Sequence, residues 1–308
     1  MKSEQAVLRI SIVMTVLVAI SGVVFGLFAG SSSIVFDGIY SLVDAGMSGL
    51  ALAVATLIRQ YTGDTAASHR LIERFNMGFW HLEPIVLALN GTLLSCVSLY
   101  ALINAVGSML GGGRALEFGY AALFAGITLL VCFTMAACQL RANRTIRSDF
   151  VALDAKTWIM AGSISLALLV AFFVGVMVTE TSYAWLAPYV DPAALAIICL
   201  VIIPMPLRTI QRAFSDILLV TPPGLKLRVG EVAEAVVNEY GFLSYEAYVA
   251  KIGRAQQIEL YFIVPSGEPA RTLEAWDEIR DKIGDTLGDE GPHRWLTIAF
   301  TTDPHWAK

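Results

Sequence analysis

The sequence predicts a membrane all-α protein in which six transmembrane helices are followed by a small α+β domain. Three observations support this fold class. Hydrophobic residues make up 56% of the 308 residues and charged residues only 15%, whereas soluble domains carry about 25% charge. Six apolar stretches are each long enough for a span, which takes about 20 residues. The charged residues concentrate in the last part of the chain.

The six apolar stretches are separated by short polar loops. They cover residues 7–29, 33–58, 84–110, 118–140, 151–178 and 190–207. The first stretch is longer than the apolar core of a signal peptide, and five more spans follow it. We therefore expect the first stretch to be retained as a transmembrane helix.

Basic residues in the loops predict that both termini lie in the cytoplasm. With the N-terminus inside, ten loop Lys and Arg residues fall on the cytoplasmic side, and Arg114 alone falls outside. Such residues collect in short cytoplasmic loops. Because the number of spans is even, the chain returns to the cytoplasm. The sequence thus predicts a multi-pass protein of the inner (plasma) membrane.

A change in charge density divides the chain into two predicted domains, 1–222 and 223–308. The first holds 12 basic and 12 acidic residues, and the second holds 9 basic and 14 acidic residues in far fewer positions. Pro222 and Pro223 mark the boundary because proline interrupts a helix. In the second domain, helices are predicted over 226–241 and 269–287, and strands over 245–252, 257–264 and 295–301. This α-β-β-α-β order is typical of a small α+β sandwich.

Composition and motifs exclude several classes of protein. No basic face is available to bind nucleic acid. The four cysteines lie in apolar stretches without CxxC spacing, which argues against a disulfide framework. An intramembrane enzyme is disfavoured because the chain has no Gly-x-Ser-x-Gly, no His-Glu-x-x-His and no histidine in any span.

The second span carries two carboxylates on one helical face. Asp37, Tyr40 and Asp44 follow one another at spacings of three and four residues. A charge in hydrocarbon is costly, so Asp44, near the middle of the span, is a functional candidate. Asp37 lies closer to the outer end, where capping the helix is an equal alternative. A neighbouring stripe of small residues, beginning at Gly38, predicts close contact with another helix.

The fifth span carries a third carboxylate, Asp154, near its inner end. If the faces of the two spans meet, Asp44 and Asp154 would bind one divalent cation, with Tyr40 and Asp37 nearby. The same oxygens would exchange the cation for protons. An interfacial ion pair between Asp154 and Lys156 is the alternative.

Other polar residues in or beside the spans have expected structural roles. Asn90 and Asn104 in the third span are expected to bond another helix. Two acid–proline pairs, Glu83-Pro84 and Asp191-Pro192, are expected to cap the starts of the third and sixth spans.

Several motifs resemble those of the cation diffusion facilitator transporters. The segment Tyr40-Ser41-Leu42-Val43-Asp44 is similar to the family's D-S-L-x-D region, and the segment from Phe75 to Pro84 resembles the F-G-x-G-x-x-E-P start of the third helix. The segment Arg147-Ser148-Asp149 precedes the fifth span, as in the family. The resemblance implies a homodimeric transporter that binds divalent metal ions and protons in the lipid bilayer without a cofactor. It also implies that the α+β domain is a ferredoxin-like cytosolic domain that dimerises.

The metal site departs from the pattern of that family, in which helices 2 and 5 each carry two Asp or His ligands four residues apart. Asp44 and Asp154 match two of these positions, whereas Tyr40 and Trp158 occupy the other two. Asp37 would substitute for one missing ligand. Since neither helix has His or Cys, the oxygen-only set suits Mn²⁺ or Mg²⁺ better than Zn²⁺, with Fe²⁺ also acceptable. The sequence does not distinguish Zn, Mn, Fe, Co and Cd.

Two functions follow from these residues. The first is a divalent metal cation/proton antiporter that exports metal from the cytosol. The departures at Tyr40 and Trp158 favour the second, a transport-deficient relative that serves as a membrane scaffold or metal sensor. In the cytosolic domain, His293, Asp303 and His305 would supply a regulatory metal site, for which a surface turn is the alternative.

Overall fold

The structure is a computed structural model that describes residues 4–62, 78–114, 116–146, 149–253, 255–267, 269–291 and 293–307. Within these ranges, six helices are long and apolar enough to cross a membrane. The first part of the predicted helix 3 motif, residues 75–77, and the pair Arg147 and Ser148 lie outside the described residues.

The membrane-spanning helices follow the predicted order. They are α1 (Glu4–Ala29), α2 (Ser32–Thr62), α3 (Leu82–Leu110), α4 (Phe118–Ile146), α5 (Asp149–Thr179) and α6 (Ala187–Ile202). A 3-10 turn, Ala184–Leu186, leads into α6, and α7 (Leu207–Ile217) follows it; the sixth candidate span covers all three, Ala184–Ile217. Pro204 and Pro206 lie between α6 and α7, which explains the break because neither residue has an N–H to continue the helix.

Two helices and a three-stranded sheet follow α7. They are α8 (Pro223–Tyr240), β1 (Ser244–Ile252), β2 (Ala255–Ile263), α9 (Leu273–Leu287) and β3 (Arg294–Thr301). The central strand β2 pairs antiparallel with β1 and parallel with β3. A parallel pair needs a crossover connection, which α9 supplies. The predictions of six spans and of a small α+β domain after them are confirmed.

The sheet and its two helices enclose one hydrophobic core. On β2, Ile258, Leu260 and Phe262 alternate in sequence, so they point to one face of the sheet and are buried there. The helices contribute Val229, Ala233 and Val236 from α8 and Ile279, Ile283 and Leu287 from α9. All of these core residues lie after Pro222.

The chain divides into two compact units. The first comprises Met1–Leu50 and Leu89–Arg208, and the second comprises Ala51–Ala88 and Thr209–Lys308. The predicted domain boundary at residue 222 falls within the second unit and stays a prediction. The first unit holds all four predicted metal-site residues. In this unit α4 and α5 share the most extensive helix contact.

Glycines bring the backbones of α1 and α2 into contact. A Cβ atom on Gly38 would lie 2.7 Å from the carbonyl oxygen of Ala19 and 2.7 Å from the backbone nitrogen of Val23. A Cβ atom on Gly26 would lie 2.7 Å from the backbone nitrogen of Val35. No side chain fits at either position, so the predicted close contact of the second span with another helix is confirmed at Gly38. Further along the small residues of this span, Ser48 is exposed.

The first turn of α2 is capped by a carboxylate from α6. Asp191 is 1% exposed, and its oxygens accept hydrogen bonds from Ser31 Oγ at 2.6 Å and from the backbone nitrogen of Ser32 at 2.9 Å. Its Oδ1 also accepts from the backbone nitrogen of Ser33 at 3.4 Å, and Ser33 Oγ donates to the Asp191 carbonyl at 2.9 Å. The carboxylate thereby satisfies amides that have no partner within α2 and complements the positive end of the helix dipole.

This cap corrects two sequence-based expectations. The predicted start of the sixth span is wrong, because α6 begins at Ala187 and Asp191 lies inside the helix. Asp191 therefore caps α2 rather than its own helix. Capping by Asp37 is also wrong, since Asp191 and Ser31 accept from the first amides of α2. Arg114, the predicted outer cation, adds a 2.7 Å hydrogen bond from Nη1 to Ser32 Oγ.

We predict that Asp191→Ala destabilises the protein by at least about 2 kcal/mol, because hydrogen bonds to a charged group contribute roughly 1.5–3 kcal/mol each. The measurement is thermal or denaturant unfolding of the purified protein in detergent. Glu180→Ala is the control, since Glu180 is an exposed acid just beyond α5, where substitutions change stability by about 0.5 kcal/mol or less. Equal stability of the two variants would contradict the cap.

We also predict that a fragment of residues 223–308 unfolds cooperatively on its own. Within this fragment, Leu260→Ala is expected to cost about 2–5 kcal/mol, because it leaves a cavity in the core. Leu273→Ala is the matched control, since Leu260 is fully buried and Leu273 is 75% exposed. Urea unfolding followed by circular dichroism measures both variants. A gradual loss of signal without a transition would show that the segment is not an independent domain.

Candidate functional site

Asp44 lies in the middle part of α2, far from both ends of the helix. Its carboxylate lies beside the side chain of Asn90 on α3. Tyr40, one turn earlier on α2, is close enough to Asp44 for electrostatic interaction. The Tyr40 ring also packs against Phe36, with 5.7 Å between ring centroids. The structure thus joins two of the four predicted site residues with an amide from a neighbouring helix.

Asn90 makes the contact with another helix that the sequence predicted, but one atom of its carboxamide has no partner among the described residues. The carboxamide lies beside Asp44, and its Oδ1 is buried and has no hydrogen-bond partner within the described chain. A buried acceptor without a partner costs about 1–3 kcal/mol. Asn104, the other amide expected to bond a helix, is exposed.

Asp154 lies in the second turn of α5, near the end of the span where the sequence placed it. Its side chain contacts α4. Gln139 Nε2 donates a 2.5 Å hydrogen bond to Asp154 Oδ2. The predicted alternative was an ion pair with Lys156, whose side chain is exposed. Gln139 itself is 2% exposed, and its Oε1 is a second buried oxygen without a partner in the described chain.

Asp37 lies on α2 near the middle of α4. Its carboxylate is close enough to Cys132 for electrostatic interaction, and the Cys132 thiol lies beside Ser165 of α5. Both Cys132 and Ser165 are buried. Asp37 therefore faces the interior formed with α4 and α5.

Trp158 does not replace a metal ligand. It is 5% exposed, and its Nε1 donates a 2.7 Å hydrogen bond to Ser11 Oγ on α1. The indole nitrogen is a donor only and cannot bind a cation. At this position of the family pattern, the chain therefore has a contact between α5 and α1.

The predicted carboxylates are distributed over different neighbours. Asp44 is joined to Asn90, Asp154 to Gln139, and Asp37 lies near Cys132. Across the described ranges, no group of three or more His, Cys, Asp and Glu side chains is close enough to hold a metal ion. The structure thus places two acidic side chains each beside a carboxamide, without gathering three of them.

Sequence reasoning did not identify Gln139. The residue stands in the apolar run Ala136-Ala137-Cys138-Gln139-Leu140 near the end of the fourth span. An uncharged amide is less conspicuous there than a carboxylate. The signal that could have revealed it is the same as for Asn90, namely a carboxamide inside a membrane-spanning stretch.

The C-terminal histidines are engaged in ordinary contacts. Asp303 Oδ1 accepts a 2.9 Å hydrogen bond from the backbone nitrogen of His305, and both side chains are exposed. This is the surface turn considered as the alternative to a regulatory metal site. His293 Nδ1 accepts a 3.1 Å hydrogen bond from Trp80 Nε1, so that ring nitrogen already has a partner.

Comparison with known proteins identifies the family of the chain. A family model described as the cation efflux transmembrane domain matches residues 8–218. No individual curated protein matches the chain. The matched segment includes the six membrane-spanning helices, and members of this family are transporters rather than enzymes. Because the match covers more than half of its length, the chain belongs to the cation efflux family, the cation diffusion facilitator transporters.

Proposed function

We propose that this transporter is a homodimeric divalent metal cation/proton antiporter that exports metal from the cytosol across the inner membrane. Both termini lie in the cytoplasm in this proposal, with 1–222 as the transport domain and 223–308 as the dimerisation and regulatory domain. The observation that carries the proposal is Asp44, a carboxylate in the middle of an apolar helix and beside the carboxamide of a second helix. A charge in such a position is costly to keep and is typical of an ion pathway.

Asp44 and Asp154 are the proposed primary ligands, with Tyr40 and Asp37 assisting. Two carboxylates supply the negative charge that offsets dehydration of a divalent ion. Protons and the cation compete for the same oxygens, so binding one releases the other. A cation entering from the cytosol would displace protons, and protons entering from the outer side would displace the cation. Transport then requires the site to face each side of the membrane in turn.

The separate neighbours of the two carboxylates are consistent with a site that assembles during transport. Asp44 belongs to α2 and Asp154 to α5, and each carboxylate lies beside a carboxamide from another helix. A cation would compete with these carboxamides for the carboxylate oxygens. The exposed position of Lys156 suits this mechanism, because a fixed positive charge beside the ligands would repel the cation.

The donor atoms favour ions that prefer oxygen. Asp44, Asp154, Tyr40 and Asp37 supply oxygen alone, and none of the described spans contains a histidine. Oxygen donors suit Mn²⁺ and Mg²⁺, whereas zinc sites usually include His or Cys. We propose Mn²⁺ as the first ion to test.

The second candidate function is a transport-deficient membrane scaffold or metal sensor. The contact of Trp158 with Ser11 favours it, since a structural hydrogen bond stands where the family has a ligand. The packing of Tyr40 on Phe36 points the same way. Against it stands Asp44, because a scaffold has no need of a carboxylate within hydrocarbon.

We predict that Asp44→Ala reduces Mn²⁺-driven proton flux by at least about 100-fold, since loss of a buried charged ligand removes several kcal/mol of binding. The measurement uses proteoliposomes that enclose a pH-sensitive dye. Glu117→Ala, at an exposed acid just before α4, is the matched control and should keep wild-type flux.

Two outcomes would contradict the proposal in different ways. Wild-type flux in Asp44→Ala would remove this carboxylate from the mechanism. Absence of flux in the wild-type protein with Mn²⁺, Fe²⁺, Co²⁺, Zn²⁺ and Cd²⁺ would favour the scaffold or sensor.

A further inference from the structure

Each of the two proposed primary ligands is paired with a carboxamide from a different helix. Asn90 of α3 lies beside Asp44 of α2, and Gln139 of α4 donates to Asp154 of α5. The amide nitrogen of Gln139 therefore faces the carboxylate of Asp154. In both pairs the amide oxygen is buried without a hydrogen-bond partner in the described chain.

A purely structural role would account for the amide nitrogens but not for the amide oxygens, which have no partner in the part of the chain that the structure describes. Buried polar atoms in proteins are nearly always hydrogen-bonded, and hydrocarbon offers no water to an unpaired acceptor. Gln139 is 2% exposed, so its Oε1 is enclosed by protein. Both amide oxygens are therefore available to a further partner.

We infer that Asn90 and Gln139 are further ligands of the transported cation and add their amide oxygens to those of Asp44 and Asp154. This inference rests on the proposed function, since it assigns further ligands to the same site. A carboxamide can serve both states of the site because its terminal torsion is broad and roughly two-fold. Its nitrogen donates to the carboxylate before the cation binds, and its oxygen coordinates the cation afterwards.

The chemistry of these ligands defines the class of cation. Amide oxygens add donor atoms without adding charge, so Asp44 and Asp154 still balance a divalent ion. Carbonyl and carboxylate oxygens together form a hard site, which suits Mn²⁺ and disfavours the softer Cd²⁺. The carboxamides would therefore set the selectivity of the transporter as well as its affinity.

The test replaces each amide by a soft donor and measures selectivity. Asn90→Cys and Gln139→Cys are reconstituted in proteoliposomes, and uptake of Mn²⁺ and Cd²⁺ is followed with a metal-sensitive dye. A thiolate that enters the coordination sphere should raise the ratio of Cd²⁺ to Mn²⁺ uptake by at least about tenfold. The matched controls are Asn104→Cys on α3 and Thr134→Cys on α4, both at exposed polar positions. Their ratio should stay within about twofold of the wild-type ratio.

The outcomes separate this inference from the proposed function. If the ratio does not change in either cysteine variant while Asp44→Ala still abolishes Mn²⁺ uptake, the carboxamides only position the carboxylates and the inference is overturned. If Asp44→Ala transports normally, the proposed site itself fails. Should a cysteine variant not be recovered in the membrane, Asn90→His and Gln139→His are measured for a rise in the ratio of Zn²⁺ to Mn²⁺ uptake, and an unchanged ratio overturns the inference equally.

Discussion

The carboxylate of Asp191 holds the start of α2, and the geometry of the candidate site depends on that contact. Asp44 lies twelve residues beyond Ser32, or about 18 Å along the helix axis at 1.5 Å per residue. A small change in the angle of the first turn would therefore displace the Asp44 carboxylate appreciably. Because hydrocarbon offers no water to the free amides, they must find partners in protein. Asp191 and Ser31 supply these partners from α6 and from the residue before α2.

The six spans and the α+β domain could be predicted because their signals are local. Apolar runs of sufficient length reveal the helices, and alternation over short segments reveals the strands. The role of Asp191 could not be predicted in this way. Its partner Ser31 is 160 residues away in sequence, and only the tertiary structure brings the two together. The start of α6 was missed because the segment Ala187-Pro188-Tyr189 does not extend the apolar run in an obvious way.

In the candidate site, too, features that are local in sequence could be predicted, whereas contacts between distant residues could not. Carboxylates in apolar runs are conspicuous, so Asp37, Asp44 and Asp154 were found from sequence alone. Asn90 and Gln139 carry no charge, and their significance appears only beside the carboxylates they contact. Trp158 was conspicuous in the sequence because it occupies a ligand position of the family pattern. The structure instead gives it a contact with Ser11. The proposed site would draw its oxygen atoms from four helices while differing from the family pattern at two positions.

The glycine contact between α1 and α2 restricts how the transporter can change conformation. At Gly38 and Gly26 the two backbones lie too close for any intervening side chain, so one helix cannot slide past the other without a clash. The two helices would therefore move as one rigid body during the transport cycle. Asp37 and Asp44, both on α2, would keep their spacing and shift together relative to Asp154. Alternation of the site would then be a rotation of the α1–α2 pair, rather than a bending of α2 around its ligands.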